Sequence, residues 1–202
     1  MKSTRSISVT EQEKIKKRYT QGHDFFIFIG SLHPRKNVAN MLKAYEKFRK
    51  ENSQRIDFVI IGEKFFMTND IKGTVDGMIF KDDVHFVGRM EPEMMRVLLA
   101  SALALVLVSK LEGFGIPVIE AYSCGVPAII SNVSSLPEVG GNAAIYADPF
   151  SVESIASAMD RMINEKGLRP SLAKNCQEIA NQYSWDKSAE RFWDSINRTI
   201  YE

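Results

Sequence analysis

The sequence predicts an α/β fold, a Rossmann-like doubly wound parallel sheet with helices on both faces. Three observations carry this expectation. Six short apolar runs recur along the chain: FFIFIG (Phe25–Gly30), IDFVIIG (Ile56–Gly62), VHFVG (Val84–Gly88), LALVLVS (Leu103–Ser109), VPAIIS (Val126–Ser131) and AAIYAD (Ala143–Asp148). The runs are apolar throughout instead of alternating, as strands buried on both faces are. The segments between them are long enough for crossover helices, which parallel strands require.

Each element has its own local reason. Residues 1–24 form a polar, basic segment or interdomain linker, within which Glu11–Tyr19 predicts a short helix with a thin apolar face. After the first strand, Asn37–Lys50 carries Val38, Met41, Leu42, Tyr45 and Phe48 at helical spacing. Glu91–Ser101 predicts a helix beginning near a proline. Between the fourth and fifth strands, Gly115, Pro117 and Gly125 delimit one short helix. Proline suits a first helical turn, and glycine the left-handed position past the end. Residues 25–182 form the main domain, and 183–202 a C-terminal helix in which Trp185, Phe192, Trp193 and Ile196 are expected to pack as ordinary core.

Composition narrows the function. The 202 residues carry 26 basic and 25 acidic side chains, a net charge of +1, so no global field recruits nucleic acid. Cys124 and Cys176 are too few for a disulfide scaffold or a cysteine metal site. No signal-like segment opens the chain, and the most apolar run, Ala102–Val108, is far shorter than the roughly 20 residues that span a bilayer. The expectation is a soluble, cytoplasmic protein. His23, His33 and His85 lack metal-ligand spacing, and His85, inside a strand, is expected to be structural. No Walker-type or dinucleotide-type glycine loop occurs, which leaves ordinary ATPase and NAD readings without their phosphate sites.

In doubly wound sheets ligands bind beyond the carboxyl ends of the strands. The loop after the fourth strand is the most informative there. Gly113 and Gly115 let a ligand approach the backbone, and the free N–H groups of the helix that follows attract an anion such as diphosphate. Glu112 and Glu120 flank that point. Alone, each reads equally as a solvated charge or a complement to the helix dipole. Together with the glycines they suit neutral hydroxyls beside a diphosphate, which describes a nucleotide sugar.

The run EGFGIPVIE, Glu112–Glu120, resembles the E-x7-E signature of retaining GT-B glycosyltransferases, the glycosyl transferases group 1 family. GSLHPRKN (Gly30–Asn37), VHFVGRM (Val84–Met90) and SNVSSLPEVGGNAAIYADP (Ser131–Pro149) match the family in order, each at a strand end. The resemblance implies that this chain is the C-terminal, donor-binding half of a GT-B fold. It implies that Glu112 contacts donor-sugar hydroxyls, Glu120 the ribose, and the amides of Phe114 and Gly115 the diphosphate. Arg35 and Lys36 would supply positive charge; many relatives carry arginine directly after Gly30, where this chain has Ser31. Gly88, Arg89 and Met90 resemble the segment bordering the nucleobase, although Arg89 also reads as an exposed charge and Met90 as core. Gly62 reads as part of the same cleft or as a plain strand-end turn. Glu138 matches a recurrent family glutamate with no derivable role.

The implied function is that of a hexosyltransferase, mannosyltransferase-like, in glycan or polysaccharide synthesis, with a non-catalytic nucleotide-sugar-binding module as the alternative. The resemblance implies no bound metal or cofactor, with GDP-mannose first and a UDP-sugar second as donor. The acceptor domain is expected elsewhere, in cis or as a separate subunit, and a membrane-surface acceptor would be reached through it.

Overall fold

The computed structural model describes residues 7–63 and 68–201. Six strands form one parallel sheet: β1 Asp24–Ile29, β2 Ile56–Ile61, β3 Val84–Gly88, β4 Ala104–Leu107, β5 Ala128–Ser131 and β6 Ala144–Ala147. Their order is β3-β2-β1-β4-β5-β6, so the chain winds outward from β1 in one direction and then from β4 in the other. Every one of the six apolar runs is a strand. The central strands are covered on both sides, with Phe25–Phe28 and Leu105–Leu107 wholly buried, whereas edge strand β6 alternates and leaves Tyr146 exposed.

Helices α1 (Val9–Thr20), α2 (Val38–Glu51), α3 (Asn69–Asp76), α4 (Pro92–Ala100), α5 (Ile116–Ser123), α6 (Leu136–Gly140), α7 (Val152–Asn164), α8 (Leu168–Ala180) and α9 (Trp185–Tyr201) follow in order. Helix α2 packs on α3 and α7, while α5 packs on α4 and α8, giving two helical layers. Under α2 an aromatic cluster fills the space beside β1 and β2: Phe26 meets Phe48 edge-on at 5.6 Å and Tyr45 meets Phe58 at 5.5 Å. The Tyr45 hydroxyl donates to the Ile56 carbonyl at 2.7 Å, so the buried ring leaves no polar atom unmet. The thin face expected for α1 is real: Ile15 and Thr20 are its only buried residues among those described.

Helix α9 corrects one expectation. Trp185, Phe192 and Trp193 are 69%, 68% and 63% exposed, so they are not domain core. Only Ile196 of the expected stripe is half-buried. The amphipathic spacing is genuine; what would cover it lies off the surface of this domain.

Polar chemistry gathers at the opposite end of the sheet from the strand carboxyl termini. There the Asp57 carboxylate, fully buried, accepts from Arg55 Nε at 2.9 Å and pairs with His85 Nε2 at 2.6 Å. Arg55 reaches on to Asp83 at 3.0 Å, which also holds Arg49 at 3.1 Å. His85 is thus structural, as expected. Burial pushes the Asp57 carboxyl upward, but the hydrogen bonds from His85 and Arg55 outweigh it and hold the group below the ordinary carboxylate value. Stability from Asp57 is therefore present above the ordinary value and is lost as pH falls through the depressed one. Asp57→Asn is expected to lower stability by roughly 1.5–3 kcal/mol at pH 7, with a smaller deficit at the acid end. Thermal denaturation of both proteins from pH 7 down to pH 3 measures it; parallel curves would remove Asp57 from the acid response.

Candidate functional site

The doubly wound order places a switch point between β1 and β4, where the loops that leave the two strands turn to opposite sides and open a crevice. Beside it the sheet's carboxyl edge is made of glycines. The Gly30 N–H donates to Ile61 O at 3.0 Å, and the Gly62 N–H to Gly88 O at 3.1 Å, extending the ladder one residue past each strand. A Cβ on Gly62 would collide with the Gly30 carbonyl oxygen, so Gly62 is required for close approach. Ser31 follows Gly30, half-buried.

The loops after β1 and β4 are tied at the crevice by a buried ion pair. Pro34–Lys36 forms one 3-10 turn that carries Lys36 inward, where its Nζ lies 2.6 Å from Glu112 Oε1. Lys36 and Glu112 are each only 8% exposed. Ser109 Oγ donates to the same oxygen at 2.7 Å. Arg35 Nη1 donates to Glu112 Oε2 at 3.2 Å and to Leu111 O at 3.1 Å. Two cations thus face one carboxylate, leaving an excess of one positive charge. Backbone bonding reinforces the pairing, since the Lys110 N–H donates to Arg35 O at 2.8 Å.

Asn37, absent from the expected site, is the residue that locks these loops together. Its left-handed backbone (φ 64°) ends the 3-10 turn and starts α2. Its side-chain amide caps neither helix; it donates to Val108 O at 3.0 Å and Pro149 O at 2.7 Å, joining the loops after β1, β4 and β6. Asparagine tolerates the left-handed conformation better than most residues and brings two donors.

Downstream of Glu112 the chain turns through Gly113 and Phe114 to Gly115, the residue before α5, with φ 107°. A Cβ at Gly115 would meet Leu136 Cδ2 at 2.7 Å. Among the described residues, the backbone N–H groups of Gly113, Phe114 and Gly115 donate to no acceptor. The Glu112 N–H is different, since Ser134 Oγ accepts from it at 3.1 Å. Three consecutive amides without an acceptor thus precede α5, in the loop that carries the Glu112 partner of Arg35 and Lys36, and unpaired amides ahead of a helix suit an anion.

Glu120 lies on the other side of α5's first turns. It lines a cavity of about 610 Å³ with Phe114, Ile116, Ile119, Met95, Leu99, Tyr183 and Trp185. The wall is largely apolar, and burial pushes the Glu120 carboxyl above the ordinary value. The Phe114 and Tyr183 rings meet edge-on at 5.4 Å at its rim.

The structure therefore brings Arg35, Lys36 and Glu112 into contact, sets Gly113, Phe114 and Gly115 beside them, and aligns Gly30, Gly62 and Gly88 along the sheet edge. The Arg89 side chain is exposed and donates to Glu63 at 3.3 Å. Met90 packs half-buried on the core. His33 accepts from the Arg35 N–H at 3.3 Å and so shapes the 3-10 turn.

Known proteins resemble this chain in sequence and in fold. The family described as glycosyl transferases group 1 matches residues 9–182. O-antigen chain mannosyltransferase B of Escherichia coli is 32% identical over 162 residues, 80% of this chain and 42% of that protein. O-antigen chain mannosyltransferase RfbU of Salmonella typhimurium is 30% identical over 152 residues, 75% of this chain and 41% of that protein. Among solved structures, sucrose-phosphate synthase from Thermosynechococcus elongatus superposes with a TM-score of 0.81 at 22% identity, covering 96% of this chain and 50% of that one. Anabaena HepE in complex with UDP and glucose superposes at 0.85 with 16% identity, covering 96% and 54%. The chain spans less than half the length of these curated relatives. With a match over most of its length, this chain belongs to the glycosyl transferases group 1 family.

Proposed function

We propose that this chain is the donor-binding half of a two-domain, retaining hexosyltransferase that uses a nucleotide diphosphate sugar in glycan or polysaccharide synthesis. The observation that carries the reading is the Glu112 carboxylate, held by Lys36 and Arg35 next to the free amides of Gly113–Gly115. Amides and cations together suit a diphosphate. The surplus positive charge lies where the leaving diphosphate gains charge as its bond to the sugar breaks.

Hydrogen-bond capacity supports a sugar contact at Glu112. Oε1 of Glu112 already accepts from Lys36 and Ser109, while Oε2 accepts from Arg35 alone. A carboxylate oxygen has two lone pairs, so Oε2 keeps one acceptor position for a donor-sugar hydroxyl. Glu120, in its partly apolar cavity, then takes the ribose hydroxyls. In the retaining reaction the acceptor oxygen bonds to the anomeric carbon on the face from which the diphosphate departs, and the acceptor proton passes to a phosphate oxygen.

GDP-mannose is the first donor expected. GSLHPRKN resembles mannosyltransferases, and two of the relatives above are named as such. A UDP-sugar is second, since HepE was solved with UDP and glucose. The acceptor domain is supplied by the remainder of the enzyme and covers the exposed Trp185, Phe192 and Trp193 stripe. The isolated half binds nucleotide and transfers little or nothing.

A thermal-shift panel of GDP, UDP and ADP, each with and without its sugar, tests the reading; a rise in Tm with GDP or UDP is expected, and no rise with any of them would sink it. Lys36→Met strands the buried Glu112 charge with only Arg35 as a counterion, and should cost about 3–5 kcal/mol in urea unfolding. A loss within experimental error would mean that the pair is not buried as described. Glu120→Gln has two expected effects of opposite sign. Because burial raises the Glu120 pKa, the ionised carboxylate destabilises the folded chain above that raised value and not below the ordinary one. The amide should therefore raise Tm at pH 7, with the gain vanishing near pH 4, while weakening nucleoside-diphosphate binding about tenfold. Calorimetry showing unchanged affinity would take Glu120 out of the ribose site.

A further inference from the structure

The loop that carries Glu112 is held from behind by a serine that sits in an unfavourable backbone conformation. Ser134, in the loop between β5 and α6, has φ 62° and is one of three described non-glycine residues with positive φ. The other two have evident reasons: Gln21 ends α1, and Asn37 locks three loops. At Ser134 the left-handed backbone aims the side chain at Glu112. Its Oγ accepts from the Glu112 N–H at 3.1 Å and donates to the Glu112 carbonyl at 2.6 Å. One hydroxyl thus closes on both polar groups of a single residue. Next to it, Ser135 Oγ donates at 3.1 Å toward both Glu112 O and Phe114 O. Strain retained in a loop whose contacts converge on the backbone of one residue is what a positioning role predicts.

We propose that Ser134 is a positioning residue of the donor loop: its hydroxyl sets the rotation of the Glu112 peptide and, through it, the aim of the Gly113–Gly115 amides. The mechanism is geometric. With both the N–H and the C=O of Glu112 held, the peptides on either side of its Cα cannot turn freely. The Glu112 N–H is withdrawn from any ligand, and the three amides that follow stay free. Ser134 itself is exposed and needs to touch neither sugar nor phosphate. The functional half of this inference rests on the donor-binding reading above, whereas the grip on the loop stands independently of it.

Two variants separate positioning from plain stability. Ser134→Gly removes the hydroxyl and relieves the left-handed strain; Ser134→Ala removes the hydroxyl and keeps the strain. The alanine variant should therefore be the less stable of the two. Both should lose affinity for GDP or UDP by the same factor, about five- to tenfold, the worth of roughly one hydrogen bond. Amide hydrogen exchange on the same 202-residue chain supplies a readout without nucleotide. Exchange at the Glu112 amide, which Ser134 holds, should quicken in both variants, while the strands keep wild-type protection. Unchanged exchange in Ser134→Gly overturns the proposal. Faster exchange with wild-type affinity overturns it too, since the grip would then position nothing that the ligand uses. If the wild-type chain binds neither GDP nor UDP while exchange still responds, the donor-binding reading falls and the grip of Ser134 on the loop is upheld.

Discussion

The buried pair of Lys36 and Glu112 is the constraint on which the site depends. A lone carboxylate at that depth would pay a heavy desolvation penalty, and so would a lone ammonium. Each is tolerable because the other is 2.6 Å away, with Ser109 satisfying a further lone pair. The pair sits where β1 and β4 part, so it binds together two loops that leave the sheet in opposite directions. Arg35 adds a second, more exposed cation and fixes the charge balance in favour of an anion. The contact that satisfies two buried charges is thus also the one that ties the two loops together.

The two ends of the sheet divide labour. At one end Asp57 is surrounded by Arg55 and His85, and the network is closed: its charges are matched inside the domain. At the other end the chemistry is left open. Three amides lack acceptors, Glu112 keeps one lone pair, and Glu120 is held in a cavity that disfavours its charge. These groups are left with unused hydrogen-bonding or charge-pairing capacity. A diphosphate with hydroxyls on either side answers all of them, the strongest physical argument for the ligand class.

Much of the architecture was legible from residues alone, for definite reasons. FFIFIG, IDFVIIG and LALVLVS had to be strands covered on both faces, because no half-exposed element tolerates such runs. Gly115, Pro117 and Gly125 marked the ends of α5 by backbone chemistry that is local. The Glu112–Lys36 contact was not legible as a contact, since 76 residues separate the partners and only the sheet order brings them together. Asn37 and Ser134 were hidden for a related reason: both look like ordinary loop residues until their acceptors, far along the chain, are known. The spacing of Trp185, Phe192 and Trp193 correctly announced an amphipathic helix. Periodicity reports that a face is apolar and says nothing of what covers it, so the assignment to core failed.

The contact between Gly62 and the Gly30 carbonyl has a consequence for how this protein can change. Any side chain at position 62 would press on the end of β1, and the first thing displaced would be the backbone leading into Ser31 and the Arg35–Lys36 turn. Position 62 touches no charged group of the site, yet it is coupled to all of them through one oxygen atom. A library randomised there would return glycine even under selection for stability alone. A neighbouring library at Arg89, whose ion-pair partner among the described residues is Glu63 on the surface, would drift widely. Two positions on the same edge of the sheet, both expected at the outset to border the ligand, thus differ in what they tolerate: one has no room for a Cβ, and the other carries an exposed side chain.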